Sequence, residues 1–183
     1  MKSIEYEERV LLSEADYRKV IEDIEYEGRA YKSFTIENIY LDNSEEFMQN
    51  NRSVLRIRTT SDGVHELTLK VQQSDNSCIE INETVEEHPQ IDEKLHNNFE
   101  QYKEIARLTT QRMEIEYDDY LLVIDRNFYS DVVDYDLEIE AKSQQLALEI
   151  LQKYCQKYGF AYDIGYRSKS RRAISKAKEK TGH

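Results

Sequence analysis

Proline, cysteine and glycine are scarce in this 183-residue chain, at one, two and five residues, and tryptophan is absent. The two cysteines, Cys78 and Cys155, form no CxxC or Cys/His cluster, which excludes a disulfide framework and a structural zinc site. Both are expected to be buried, inert thiols. So little glycine and proline leaves no material for a linker, and the length suits one domain over residues 1–183. No apolar run approaches the ~18–20 residues that span a bilayer, and the opening MKSIEYEERV lacks the apolar stretch of a signal peptide. A cytoplasmic location and no membrane partner are expected. Basic charge is also short: 25 Lys+Arg stand against 37 Asp+Glu, a net charge of -12, so nucleic acid wrapped on the outside would meet a repulsive field. The deficit is uneven, because residues 167–180 carry seven Lys/Arg and one Glu, a basic C-terminal segment (167–183) on an acidic body.

What is present is alternation. Leu55 and Ile57 alternate with Arg56 and Arg58, and Leu67, Leu69 and Val71 with Glu66, Thr68 and Lys70. A period of two puts the apolar and charged residues on opposite faces of a strand. Between these runs, Asp62-Gly63 supplies the positive-φ positions of a tight hairpin, so the pair is antiparallel. The same pattern recurs at 78–85, 112–117 and 136–141, and runs at 3–12, 33–42 and 119–126 bring the total to about eight strands, more than the ~5–6 of an ordinary sheet. A large antiparallel sheet that curls or closes is expected. Helices are predicted from Ser13 to about Glu27 with Gly28 as the stop, from Pro89 to about Arg107 (burying Ile91, Leu95, Phe99 and Tyr102), and from Ser143 to Gly159. The fold class is α+β.

One wet sheet face ordinarily mixes neutral and charged residues. Here the polar faces carry Arg-x-Arg, Glu-x-Glu and a lone Lys with few neutral residues between them. If the sheet closes, those groups converge inside it. Inward guanidinium and ammonium groups clamp a highly charged anion, with Arg offering bidentate geometry to phosphate oxygens. Inward carboxylates favour Mg²⁺ or Mn²⁺, hard ions that bridge protein oxygen to phosphate.

The order of motifs resembles the CYTH, or triphosphate tunnel metalloenzyme, superfamily, and its small bacterial adenylate-cyclase-like branch in particular. Glu5-Tyr6-Glu7-Glu8-Arg9 is similar to the opening ExExK signature with Arg in place of Lys. Tyr40-Leu41-Asp42, Leu55-Arg56-Ile57-Arg58, Leu67-Thr68-Leu69-Lys70, Glu80-Ile81-Asn82, Arg112, Asp125, Tyr135-Asp136-Leu137-Glu138-Ile139-Glu140, Lys169 and Arg172 then follow in family order. The resemblance implies an eight-stranded antiparallel barrel, closed or nearly so, with flanking helices, that holds a triphosphate end-on with Mg²⁺ or Mn²⁺. It implies Glu5, Glu7, Asp125, Glu138 and Glu140 as metal-binding carboxylates. It also implies Arg9, Arg56, Arg58, Lys70, Arg112, Lys169 and Arg172 as phosphate-binding residues. Glu80 and Glu114 fall at further tunnel positions, and Tyr40, with Glu5, Glu7, Arg9, Glu138 and Glu140, belongs to the expected catalytic set. In some family members the motif Lys, with a Tyr, is proposed as a base; Arg9, with an ordinary pKa above ~12, cannot readily take that role. The expected activity is hydrolysis of inorganic triphosphate to diphosphate and phosphate, with ATP or another nucleoside triphosphate as further substrates. Adenylate cyclase activity and non-catalytic polyphosphate or nucleotide sensing are the alternatives. Homodimers occur in the family, but no sequence feature marks an interface.

Overall fold

The computed structural model describes residues 2–74, 77–84, 102–162 and 167–181, with side chains other than those of residues 2–5, 74, 77, 78 and 181. Among the described residues eight strands appear: β1 (Lys2–Leu12), β2 (Lys32–Asp42), β3 (Ser53–Thr60), β4 (His65–Ser74), β5 (Ser77–Thr84), β6 (Lys103–Glu116), β7 (Tyr120–Tyr129) and β8 (Val132–Ala141). Every neighbouring pair is antiparallel, in the order β1-β5-β4-β3-β2-β6-β7-β8. Closure falls to β1, which pairs with β5 through residues 2–6 and with β8 through residues 6–12. The expected α+β barrel is therefore present. At the β3–β4 turn Gly63 has φ 86°, and the Gly63 amide donates to the Thr60 carbonyl at 2.9 Å.

Among the described residues four helices flank the barrel: α1 (Glu14–Tyr26), α2 (Phe47–Asn50), α3 (Gln144–Tyr158) and α4 (Lys169–Thr181). Local chemistry sets the ends of α1 and α3. Ser13 Oγ accepts from the Asp16 amide at 3.1 Å, Ser143 Oγ accepts from the Leu146 amide at 3.3 Å, and Gly159 closes α3 at φ 78°. The short α2 is held by Asp42, a buried carboxylate that accepts from the Met48 and Asn43 amides, each at 2.9 Å.

The expected helix from Pro89 to Arg107 is not what residues 103–107 form. They open β6, whose inward Ala106, Leu108 and Thr110 follow a period of two and whose backbone pairs with β2 from Lys103–Asp42 onward. Strand pairing overrides local helical spacing there. The remainder of that predicted helix, including Ile91, Leu95 and Phe99, lies outside the described residues; Tyr102 packs against Leu41, Met48 and Leu55.

The main apolar core lies outside the barrel rather than within it. Val10, Leu122, Leu137 and Ile139 face outward from β1, β7 and β8 and meet Val20 and Ile24 of α1 and Ala147, Ile150 and Leu151 of α3. Each fully buried aliphatic side chain contributes roughly 1.5–3 kcal/mol, so stability rests on the outer layer and the lumen is left to polar chemistry. A smaller cluster joins Tyr40, Leu108 and Tyr129 to Ala173 and Ile174, seating α4 against the barrel. Among the described residues no helix is long and apolar enough to cross a membrane.

Candidate active site

Strand register decides which side chains share the lumen. Arg9 lies opposite Glu138, Glu7 opposite Glu140, and Arg112 opposite Asp125. Residues directly opposed in an antiparallel ladder project to the same face. The lumen is a cavity of about 950 Å³ whose lining includes nine Lys/Arg and six Glu, so a chain of net charge -12 has turned a cationic excess inward.

Three carboxylates converge at one side of it. Glu7, Glu138 and Glu140 each place an oxygen within 4.8 Å of the others. Glu138 is 1% exposed; its Oε2 accepts from Lys169 Nζ at 2.9 Å, while its buried Oε1 has no hydrogen-bond partner. Burial alone would push its carboxyl up, but the charges of Lys169, Arg9 and Arg112 outweigh burial and hold it well below the usual carboxylate range. An all-oxygen donor set that includes the ionised Glu138 carboxylate with an unused buried lone pair fits Mg²⁺ or Mn²⁺. Arg9 sits in the same group, pairing with Glu7 and standing 3.6 Å from Glu138. Burial pulls its guanidinium down, yet Glu7 and Glu138 prevail and hold it above its ordinary value, so it stays charged.

The opposite wall is basic. Arg56 and Lys70 both reach Glu80 Oε1, at 3.2 and 2.5 Å. Arg58 differs. Its Nε donates to Asn38 Oδ1 at 3.5 Å, and it has no carboxylate partner among the described residues. Burial, reinforced by the neighbouring charges of Arg56 and Arg112, pushes the guanidinium down to about 9, still protonated at neutral pH. Tyr40, 2% exposed, has its phenol raised by burial and remains neutral.

The CYTH domain family model matches residues 3–170. The chain belongs to the CYTH family. Among curated proteins, none matches its sequence. Three solved CYTH-like structures share the fold. A candidate adenylate cyclase from Bacillus halodurans is 24% identical, with a TM-score of 0.77 over 93% of this chain and 97% of its own. A Hippeastrum protein, a candidate adenylyl cyclase described as having a dominant triphosphatase activity, is 17% identical, with a TM-score of 0.70 over 100% and 96%. A candidate adenylate cyclase from Vibrio parahaemolyticus is 12% identical, with a TM-score of 0.62 over 91% and 96%.

In this CYTH lumen, Glu7, Arg9, Tyr40, Arg56, Arg58, Lys70, Glu80, Arg112, Glu114, Glu138, Glu140 and Lys169 all line the one cavity. Two residues that the motifs place in the site are not among the residues that line the cavity. Asp125 faces inward opposite Arg112 but is wholly buried beneath the lining; it lies outside the three-carboxylate group, yet Arg112 and Lys169, which engage it, both also reach Glu138. Arg172 is turned toward Asp134 and Asp136 and is not among the lining residues. The Glu5 side chain lies outside the described residues. Three lining cations, Arg52, Arg167 and Arg171, escape the motif comparison. The basic run from residue 167 signals two of them; nothing in the sequence singles out Arg52, which precedes β3 with φ 51°.

Proposed function

We propose that this CYTH protein hydrolyses a triphosphate, with inorganic triphosphate as its first substrate, to diphosphate and phosphate. The observation that carries this is the placement of Arg58, a cation without a carboxylate partner among the described residues, in the same cavity as the Glu7, Glu138 and Glu140 oxygens. A half-buried cation that is repelled by neighbouring cations and forms no ion pair with its cross-strand neighbour Glu66 is costly, and a polyphosphate supplies negative charge to it. A triphosphate activity in the Hippeastrum protein of the same fold supports the assignment.

Glu7, Glu138 and Glu140 would hold Mg²⁺ or Mn²⁺, which when bound polarises phosphoryl oxygens and acidifies water. Arg56, Arg58, Lys70, Arg112 and Lys169 hold the phosphate oxygens, the guanidinium groups through paired donors, and orient the chain for in-line attack. Water oxygen bonds to the terminal phosphorus as the bond from that phosphorus to its bridging oxygen breaks; diphosphate leaves with the bond's electrons and the water proton passes to solvent. Arg9 neutralises charge and is no base, because the carboxylates beside it keep it protonated. Tyr40, neutral and lining the cavity, would donate to a phosphoryl oxygen.

The test is phosphate release by purified protein from inorganic triphosphate, ATP and other nucleoside triphosphates with Mg²⁺ or Mn²⁺, repeated with chelator. Metal-dependent release from inorganic triphosphate, abolished in Glu138→Gln, is expected. Cyclic AMP from ATP would make it a cyclase, and tight triphosphate binding with no turnover would make it a sensor.

A further inference from the structure

We infer that Arg172 is a positioning residue that aims Lys169 into the lumen, and that its guanidinium takes no part in holding phosphate. The geometry begins with α4, on which Lys169 and Arg172 are three residues apart and so share a face. Arg172 spends its donors on the barrel wall and on the chain entering the helix. Nε and Nη2 form a fork on Asp134 at 2.8 and 3.0 Å, Nη2 also reaches Asp136 at 2.7 Å, and Nη1 donates to the Arg167 carbonyl at 2.8 Å. The receiving carboxylates are themselves fixed. Asn127 Nδ2 donates to Asp134 at 3.0 Å and to Asp136 at 2.6 Å, Tyr129 donates to Asp134 at 2.5 Å, and Thr110 donates to Asn127 Oδ1 at 2.9 Å.

Asp136 and Asn127 are wholly buried. A charged fork held in a largely buried, mutually hydrogen-bonded network is restricted to few arrangements, and breaking one member leaves the others short of a partner. The clasp therefore sets the height and rotation of the first turn of α4. One turn earlier on that face, Lys169 Nζ reaches Asp125 and, at 2.9 Å, Glu138 Oε2. Arg172 is 11% exposed, pays its charge to Asp134 and Asp136, and does not line the cavity that Lys169 lines. The family order of motifs groups both residues as phosphate ligands; the structure divides them into a ligand and its support.

The inference rests on the proposed triphosphate site, and the sign of one substitution separates support from ligand. Asp134→Asn removes a negative charge from beneath Arg172. If Arg172 held phosphate, loosening its carboxylate would tighten inorganic triphosphate binding measured by calorimetry without metal. Positioning predicts the reverse: affinity falls roughly three- to tenfold, the size of coupling within one hydrogen-bond network. Arg172→Lys, which keeps the charge but loses the fork, should do the same, and its effect should vanish in a Lys169→Gln background. Tighter or unchanged binding in Asp134→Asn, or multiplicative losses in the Arg172→Lys, Lys169→Gln double variant, overturns the inference. A second readout needs no triphosphate. The Lys169 ammonium resonance, assigned by its loss in Lys169→Gln, should shift and exchange faster with water in Arg172→Lys. If the wild type binds no triphosphate, the functional proposal fails while that resonance still decides positioning; an unmoved resonance refutes it.

Discussion

Arg112 and Asp125, register partners on β6 and β7, are joined by two parallel hydrogen bonds, Nε to Oδ1 at 3.0 Å and Nη2 to Oδ2 at 2.8 Å. Lys169 binds the same carboxylate from α4. Asp125 thus ties a strand to the C-terminal helix from a position with no exposure, and orients two lining cations at once. Asp125→Asn leaves both cations short of a counter-charge. Breaking a buried pair from one side costs about 3–5 kcal/mol, so the urea midpoint should fall sharply. Triphosphate added to the variant should recover part of the loss, because the anion replaces the missing charge.

Acid should weaken the fold through Glu138. Its carboxyl lies well below the usual range because Lys169, Arg9 and Arg112 surround it against the opposing effect of burial. A depressed carboxylate pKa stabilises above the unfolded value of about 4.3, and that stability is lost as pH falls below it. Urea midpoints measured from pH 7 to pH 3 should decline below about pH 4.3. Glu138→Gln should start lower at pH 7 and decline less.

Arg58→Met should stabilise the free protein while damaging its binding. The guanidinium is desolvated and repelled by Arg56 and Arg112, so replacing it with an uncharged side chain of similar length should raise stability by roughly 1 kcal/mol. Triphosphate at a hundredfold excess over its Kd stabilises a protein by about 2.7 kcal/mol. Thermal melts should show this ligand shift in the wild type and most of it gone in Arg58→Met. A variant that melts lower than the wild type without ligand would refute the account of Arg58 as a cation held for an anion.

Arg9→Lys should change the pH profile of turnover rather than merely its height. Arg9 stays protonated beside Glu7 and Glu138, so the wild type should show no alkaline limb from this position. A lysine there ionises nearer ~10.4 before its neighbours act on it and has one nitrogen in place of the fork that meets Glu7 and approaches Glu138. An added alkaline limb in kcat/KM is expected. Superimposable profiles would show that Arg9 has no influence on proton traffic.

Strand alternation was legible because it is local: Arg56 and Arg58, or Glu138 and Glu140, must share a face whichever strands lie beside them. The caps at Ser13, Ser143 and Gly159 were legible for the same reason, each needing only neighbours a turn away. Residues 103–107 were not, since their helical spacing gives way to pairing with β2, more than sixty positions earlier in the chain. Asp125 and Arg172 show the corresponding limit within the site. Their positions in the motif order place them near phosphate and metal, but which partner each takes depends on groups brought in from β6, β8 and α4.

By itself the sequence determined the α+β class, a large antiparallel sheet that curls or closes, and most of the charged residues on its inner face, because side-chain direction along a strand follows from backbone geometry alone. Tertiary structure decided how those charges are shared. Closure through β1 brings Glu7 to Glu138 and Glu140, the seating of α4 commits Asp125 and Arg172 to ion pairs, and Arg58 is left without a carboxylate partner among the described residues. Pairing among buried charges depends on distances of a few ångströms between strands far apart in the chain, and only the folded barrel sets those distances.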